Sequence, residues 1–329
     1  MSLHRRHFLS AAAAQALTPD HLWAQSTVAS GQTLRLVIPF TAGATSDQLA
    51  RILIEAWQTN LGVPIVIDNK PGTGGMLGAA EVARAQPDGR TLAWGTVSNH
   101  AIAPSLYTRP LYDPLADFTP IALLLSVPHV VMAHPRLPVR NLSELVSLLR
   151  ANPGKYTYAS SGNGTISHLI AEAFKAATGS FLVHIPYRSS AQGIPDFLAG
   201  RVDLMFDTVV VSRPILQDNR ARAPAVTSAE RSPALPEVPT VQETGAPGLR
   251  DFEASGWFGV YSPKNLPEPL VARQNAALNR SLANTDVQAR LRAAGASVLG
   301  GTVQAFGDFN RREVARWSAV IRRLGVSVD

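Results

Sequence analysis

The groups best placed to react lie between Ser160 and His168, in the run Ser-Ser-Gly-Asn-Gly-Thr-Ile-Ser-His. A hydroxyl nucleophile needs a base within hydrogen-bonding reach. The spacing offers Ser161 or Thr165 with His168, one helical turn past Thr165. The surroundings do not support that pairing. There is no Gly-x-Ser-x-Gly elbow to expose a serine and no Ser-x-x-Lys, and no carboxylate stands out nearby to orient the histidine. His168 reads better as a helix-face residue that anchors its loop by hydrogen bonds. Residues 160–165 include no Lys, Arg, Cys, Asp or Glu, so the loop is suited to holding a ligand rather than reacting with it. Tyr156 and Tyr158 lead in with strand alternation, and Ile166, Leu169, Ile170, Ala173 and Phe174 follow at helical spacing. The loop therefore delivers a helix N-terminus, whose unpaired N–H groups and positive dipole end favour an anion such as a carboxylate.

Other chemistries are poorly served. The chain has 329 residues and no cysteine, which excludes disulfides, thiolate metal sites and a cysteine nucleophile. His100, His129, His134, His168 and His184 are scattered, with no His-Glu-x-x-His spacing, so neither metal nor cofactor is expected. Counting from Gly72, the sixth position of a dinucleotide fingerprint is Leu77, and no Lys follows the glycines. Pro71–Gly78 is then a tight structural turn. The net charge of +6 is spread thinly, without the concentrated patch that nucleic-acid binding needs.

The N-terminus has the marks of export. His4-Arg5-Arg6-His7-Phe8-Leu9 precedes the alanine-rich stretch Phe8–Leu17, and Leu22-Trp23-Ala24 stands before Gln25. A basic region, a short apolar region and a small residue make a secretory signal over residues 1–24. The paired arginines resemble a twin-arginine signal, which predicts a periplasmic protein.

Beyond the signal, strands alternate with helices. Thr33–Pro39, Pro64–Asp68, Thr91–Gly95, Leu182–Pro186 and Val202–Asp207 read as strands, and Gln48–Asn60, Ala79–Ala85 and Leu142–Ala151 as helices. Asn141 is the expected N-cap of the last, with Glu144 in the capping-box position. Three helices, Leu270–Ala283, Asp286–Ala294 and Thr302–Leu324, close the chain. The alternation predicts a parallel α/β sheet. Two apolar segments, near Leu123–Met132 and Ala254–Val260, are expected to cross between two α/β lobes as hinges. Small polar turns at Thr41–Asp47, Gly72–Gly75, Ser160–Thr165 and Arg188–Gln192 would gather at the strand ends and line a cleft.

Several long runs resemble one family: PFTAGATSD at 39–47, DNKPGTGGMLGA at 68–79, QPDGRTLAWG at 86–95, DFTPIALL at 117–124, NPGKYTYASSGNGTISH at 152–168, PYRSSAQGIPDFLAGRVDLMFD at 186–207, AVTSAERSPALPEVPTVQETG at 225–245 and SGWFGVYSP at 255–263. The chain resembles the Bug receptors, extracytoplasmic solute-binding proteins of tripartite tricarboxylate transporters. The resemblance implies a type II periplasmic binding-protein fold: lobe 1 from residues 31–126 plus 257–329, and lobe 2 from 127–256. It implies a monomeric binding protein, not an enzyme, that closes like a flytrap on a small carboxylate and passes it to a membrane permease. The implied ligand contacts are Phe40, Ala44, Thr45 and Asp47 from lobe 1, and Ser161, Gly164, Thr165, Ser190, Ala191, Gln192 and Asp207 from lobe 2. His168 would support the loop. The family's first loop commonly has two glycines where this chain has Gly43 and Ala44, and it often has Gly in place of Ser189. These departures bear on ligand identity, not on the fold. Arg188 is expected to be an exposed rim charge. A sensory receptor with a signalling partner is the alternative, with an exported serine-type hydrolase behind it.

Overall fold

The computed structural model describes residues 33–328, so the export signal at 1–24 lies outside the described residues. The chain enters through β1 (Leu34–Ile38), α1 (Thr45–Leu61), β2 (Ile65–Asn69), a 3-10 turn (Thr73–Gly75), α2 (Met76–Ala83) and β3 (Thr91–Thr96). A π turn (Ser98–Ile102) and α3 (Ala103–Leu106) precede the long strand β4 (Phe118–Ala133). Then come α4 (Leu142–Ala151), β5 (Thr157–Ser160), α5 (Ile166–Thr178), β6 (Val183–Pro186), α6 (Ser190–Leu198), β7 (Leu204–Thr208), α7 (Val209–Gln217) and β8 (Arg222–Val226). The chain returns through β9 (Ser255–Pro263), α8 (Glu268–Ala283), α9 (Thr285–Ala293), β10 (Ser297–Val298) and α10 (Val303–Leu324).

The strands run in the order β2-β1-β3-β9-β4-β7-β5-β6, with β8 and β10 also paired to β4. β4 joins the two lobes. From Phe118 to Pro128 it pairs with β9, and from His129 to Ala133 it pairs with β7. Pro128 lacks a donor N–H, and it stands where the partner strand changes. The return crossing is beside it: the Ala254 N–H donates to Thr227 O at 2.9 Å, and β9 begins at the next residue. The expected parallel sheet holds only on the flanks, in β2-β1-β3 and β7-β5-β6. The centre is antiparallel because one crossing strand leaves the first lobe and the other comes back to it.

The packing follows the apolar periodicity. α1 buries Leu49, Leu53, Trp57 and Leu61 against Trp94 of β3 and Leu278 of α8. α5 buries Leu169, Ile170 and Phe174 against Tyr158 and Phe206. α4 is capped as its sequence predicts: Asn141 Oδ1 accepts from the Glu144 N–H at 2.9 Å, while the Glu144 carboxylate accepts from Arg140 N–H at 2.7 Å. α7 was not expected. Its opening Val209-Val210-Val211 is β-branched and directly follows β7, and burial on the lobe overrides that strand propensity.

Candidate functional site

A cavity lies between the lobes at the carboxyl ends of the strands. Helix N-termini converge on it. α1 contributes Thr45 and Ser46, α5 its first residue Ile166, α6 its first residue Ser190, and α7 its N-cap Thr208. None of these four helices has a side-chain cap. Of the helices that open elsewhere, α4, α9 and α10 are capped by Asn141, Asn284 and Thr302, while α2, α3 and α8 have no side-chain cap.

The missing caps have a structural cause, because the hydroxyls that would serve α6 and α7 reach across the cleft instead. Thr41 Oγ1 donates to Ser189 Oγ at 2.5 Å, and Thr45 Oγ1 pairs with Thr208 Oγ1 at 2.6 Å. The Ile166 N–H donates to Ser98 Oγ at 3.1 Å, and Tyr107 OH reaches Asn163 O at 3.4 Å. These bonds hold the lobes closed. The glycine turn belongs to the same contact. Gly74 has φ +62°, and a Cβ there would stand 2.8 Å from Asn163 O. The turn lets two backbones approach.

Of the residues expected to contact ligand, Phe40, Ala44, Thr45, Ser161, Ser190 and Asp207 line the cavity. Asp47 does not. Its buried carboxylate accepts from Arg51 Nε at 2.9 Å, Gly43 N–H at 2.9 Å and Asn69 Nδ2 at 3.3 Å. Burial disfavours that charge, but these donors outweigh it and hold the group below the usual carboxylate range. Asp47 thus shapes the 41–44 loop. Ala44 adopts φ −71°, so its Cβ is no obstacle, and Gly43 takes the positive φ of +80°. Gly164 and Thr165 support the opposite loop, with Thr165 Oγ1 donating to Gly162 O at 2.6 Å. Ala191 and Gln192 lie in the first turn of α6 away from the cavity, and Arg188 and Gln192 are exposed.

His168 supports the loop as expected, with Gly164 N–H donating to its Nδ1 at 3.3 Å. Its ring stacks on His184 at 4.4 Å, and His184 stacks on Tyr158 at 4.6 Å. Burial lowers the pKa of His168 and brings His184 to about 3, so both rings are neutral. A carboxylate does stand near His168 after all: Glu172, one turn on, at 4.0 Å from Nε2. Neither candidate nucleophile meets the histidine, because Ser161 Oγ pairs with Ser167 Oγ at 2.8 Å and Thr165 bonds within its own loop.

Thr96, Val97 and Ser98 at the end of β3, and His129, Gly256, Trp257 and Phe258 on the crossing strands, complete the lining and escaped the sequence reading. The Ser-Gly-Trp-Phe run at a proposed crossing was the available signal. Trp257 is held by Nε1–H donating to the buried Glu313 at 2.9 Å. No Lys or Arg lines the cavity. Its charged group is Asp207, whose Oδ1 accepts from Thr208 N–H at 2.7 Å. Burial pushes the Asp207 carboxyl up to about 6 against the pull of Ser190 and Thr208. Burial also lowers His129 to about 3, leaving a neutral ring. Among the described residues no cluster of His, Asp or Glu is suited to a metal, and no helix is long and apolar enough to cross a membrane.

Residues 49–326 match the family model described as tripartite tricarboxylate transporter family receptor. Three solved structures are similar. One is the periplasmic binding protein BugD, at 35% identity and TM-score 0.86 over 90% of this chain and 99% of that one. The second is Rpa4515 of R. palustris with adipate, at 35% identity and TM-score 0.86 over 90% and 98%. The third is MatC of Rhodopseudomonas palustris with bound malate, at 33% identity and TM-score 0.83 over 88% and 99%. With its two α/β lobes closed over a cavity ringed by uncapped helices, the chain belongs to the Bug receptors, the periplasmic solute-binding receptor family of tripartite tricarboxylate transporters.

Proposed function

We propose that this receptor captures a small organic acid between its lobes in the periplasm and hands it to the membrane permease of its transporter. The observation that carries this reading is the convergence of four uncapped helix N-termini on a closed cavity without a cation. Each N-terminus stabilises an anion by roughly 0.3–1 kcal/mol, and more when partly buried. Backbone N–H groups and hydroxyls together replace the arginine clamp that a carboxylate would otherwise need. Adipate and malate in the related structures are carboxylates of this size class. The lobes are taken as residues 31–126 with 257–329, and 127–256, with hinges where β4 changes partner from β9 to β7 and where the chain enters β9. Export by the twin-arginine signal and action as a monomer complete the reading. No hydroxyl in the cavity is paired with a histidine base, which favours a receptor over a hydrolase.

The test is a thermal-shift panel of mono-, di- and tricarboxylates and aromatic acids on the mature protein. A ligand at 100 times its Kd adds about 2.7 kcal/mol of stability. A panel in which no acid raises the Tm overturns the proposal.

A further inference from the structure

Two polar atoms in the cavity wall make no hydrogen bond among the described residues, although the Ser190 hydroxyl stands close enough to Asp207 to pull its pKa down. Asp207 is 3% exposed, and its Oδ2 has no hydrogen-bond partner. His129, on the neighbouring strand, is 2% exposed, and its Nδ1 also has none. Both line the cavity, where β4 and β7 end at the crossing. A buried carboxylate oxygen left unanswered carries a desolvation cost that one good donor relieves.

The cavity is therefore polarised. On the α1 and α5 side the N–H groups face no acid, because Asp47 is turned away to Arg51. On the α6 and α7 side Asp207 lines the cavity and answers the Thr208 N–H with one oxygen, while its other oxygen, buried in the wall, makes no hydrogen bond. An anionic group brought to that oxygen would be repelled. A hydroxyl or ammonium group would satisfy it.

We propose that the Asp207 carboxylate forms a donor-accepting subsite, so that the ligand is a carboxylate that also bears a hydroxyl or ammonium group; His129, opposite Thr208 in the strand pairing, faces the other side of the sheet. This inference rests on the carboxylate-capture reading and narrows it. Family resemblance does not decide the matter, since adipate has no such donor and malate has one. A site built around a hydrogen-bonded group rejects the analogue lacking it more strongly than an apolar pocket rejects a missing methylene, because the buried partner is stranded.

The experiment is titration calorimetry of the mature protein with matched series differing only in the donor. Suitable series are succinate, malate and aspartate; adipate, 2-hydroxyadipate and 2-aminoadipate; and butyrate, 3-hydroxybutyrate and 4-aminobutyrate. In the series that binds, a donor-bearing member should be at least about ten-fold tighter than its donor-free parent, as expected for a bond to a charged acceptor. The hydroxyl and ammonium arms identify which donor it is. In Asp207→Asn, similar in size and uncharged, the ratio between the donor-bearing and donor-free acids should drop to within about three-fold, whatever the absolute affinities. Equal affinities in the wild-type protein overturn the inference, and so does an unchanged preference in Asp207→Asn. The wild-type comparison needs no variant, so a poorly folding Asp207→Asn leaves the test intact. Binding without preference refutes the subsite alone, whereas silence from every series refutes carboxylate capture and the subsite with it.

Discussion

Thr41→Val should weaken ligand binding without touching the ligand. The Thr41 hydroxyl donates to Ser189 Oγ at 2.5 Å across the cleft, and neither residue lines the cavity. Valine keeps the branched shape and removes the donor. Ser189 is 0% exposed in the closed protein, so its oxygen would lose its partner without gaining water. A lost neutral hydrogen bond is worth about 1 kcal/mol, and a stranded buried group brings the total to about 1–2 kcal/mol. The open protein exposes both hydroxyls to water, so this penalty falls on closure alone. The Kd for the best acid of the panel should rise about 5- to 30-fold, mostly through faster dissociation. Calorimetry and stopped-flow release would measure both. The unliganded Tm should stay close to wild type, since each lobe keeps its own core. Ser189→Ala and the double variant complete a cycle whose coupling should be about 1 kcal/mol. A Kd within two-fold of wild type, or a coupling near zero, would show that the cross-cleft bond does not drive closure.

Two more variants probe closure and charge. Gly74→Ala adds a Cβ 2.8 Å from Asn163 O of the opposite lobe, whereas Gly62→Ala, at a similar positive φ of +76°, meets nothing within 4 Å. Both should lower the unliganded Tm slightly through backbone strain, but only Gly74→Ala should lower affinity, by about ten-fold or more; equal affinities for the two would remove the glycine turn from the closing contact. Asp207 titrates at about 6 in the folded protein against 3.8 when unfolded, so between those pH values the native state binds more protons. The stability contributed by this group therefore rises as pH falls through about 6 and levels off below 3.8. Relative to Asp207→Asn, the wild-type protein should gain on the order of 2–3 kcal/mol between pH 7 and pH 4 in urea melts; a difference that does not change with pH would contradict the buried charge.

Much of the fold was readable from local pattern. The apolar crossing expected near Leu123–Met132 lies within β4, and Asn141 caps α4 as its type and position predict. The Ser160–Thr165 loop stands at a helix start facing the cleft. Hydrophobic periodicity and caps are properties of near neighbours, which is why a single chain reveals them. What escaped has equally physical causes. α7 opens with valines that read as more strand. Glu172 reaches His168 only because four residues make one helical turn. Trp257 and Phe258 arrive in the cavity from a strand that is far from the loops in sequence.

The amino-acid sequence by itself determined an uncharged, small-residue jaw at a helix N-terminus, its counterpart near Thr41–Asp47, and two apolar crossings between lobes. Only the tertiary structure decided which hydroxyl meets which. Thr41 and Ser189 are 148 residues apart, and Thr45 and Thr208 are 163 apart. It also decided which acid lines the cavity. Asp47 and Asp207 were both expected to contact ligand, yet Arg51 turns the first into a structural strut. Burial beside Thr208 leaves the second, in the cavity wall, with one oxygen that makes no hydrogen bond. A carboxylate's role depends on the donors and water left around it after the lobes close, and those atoms come from distant parts of the chain.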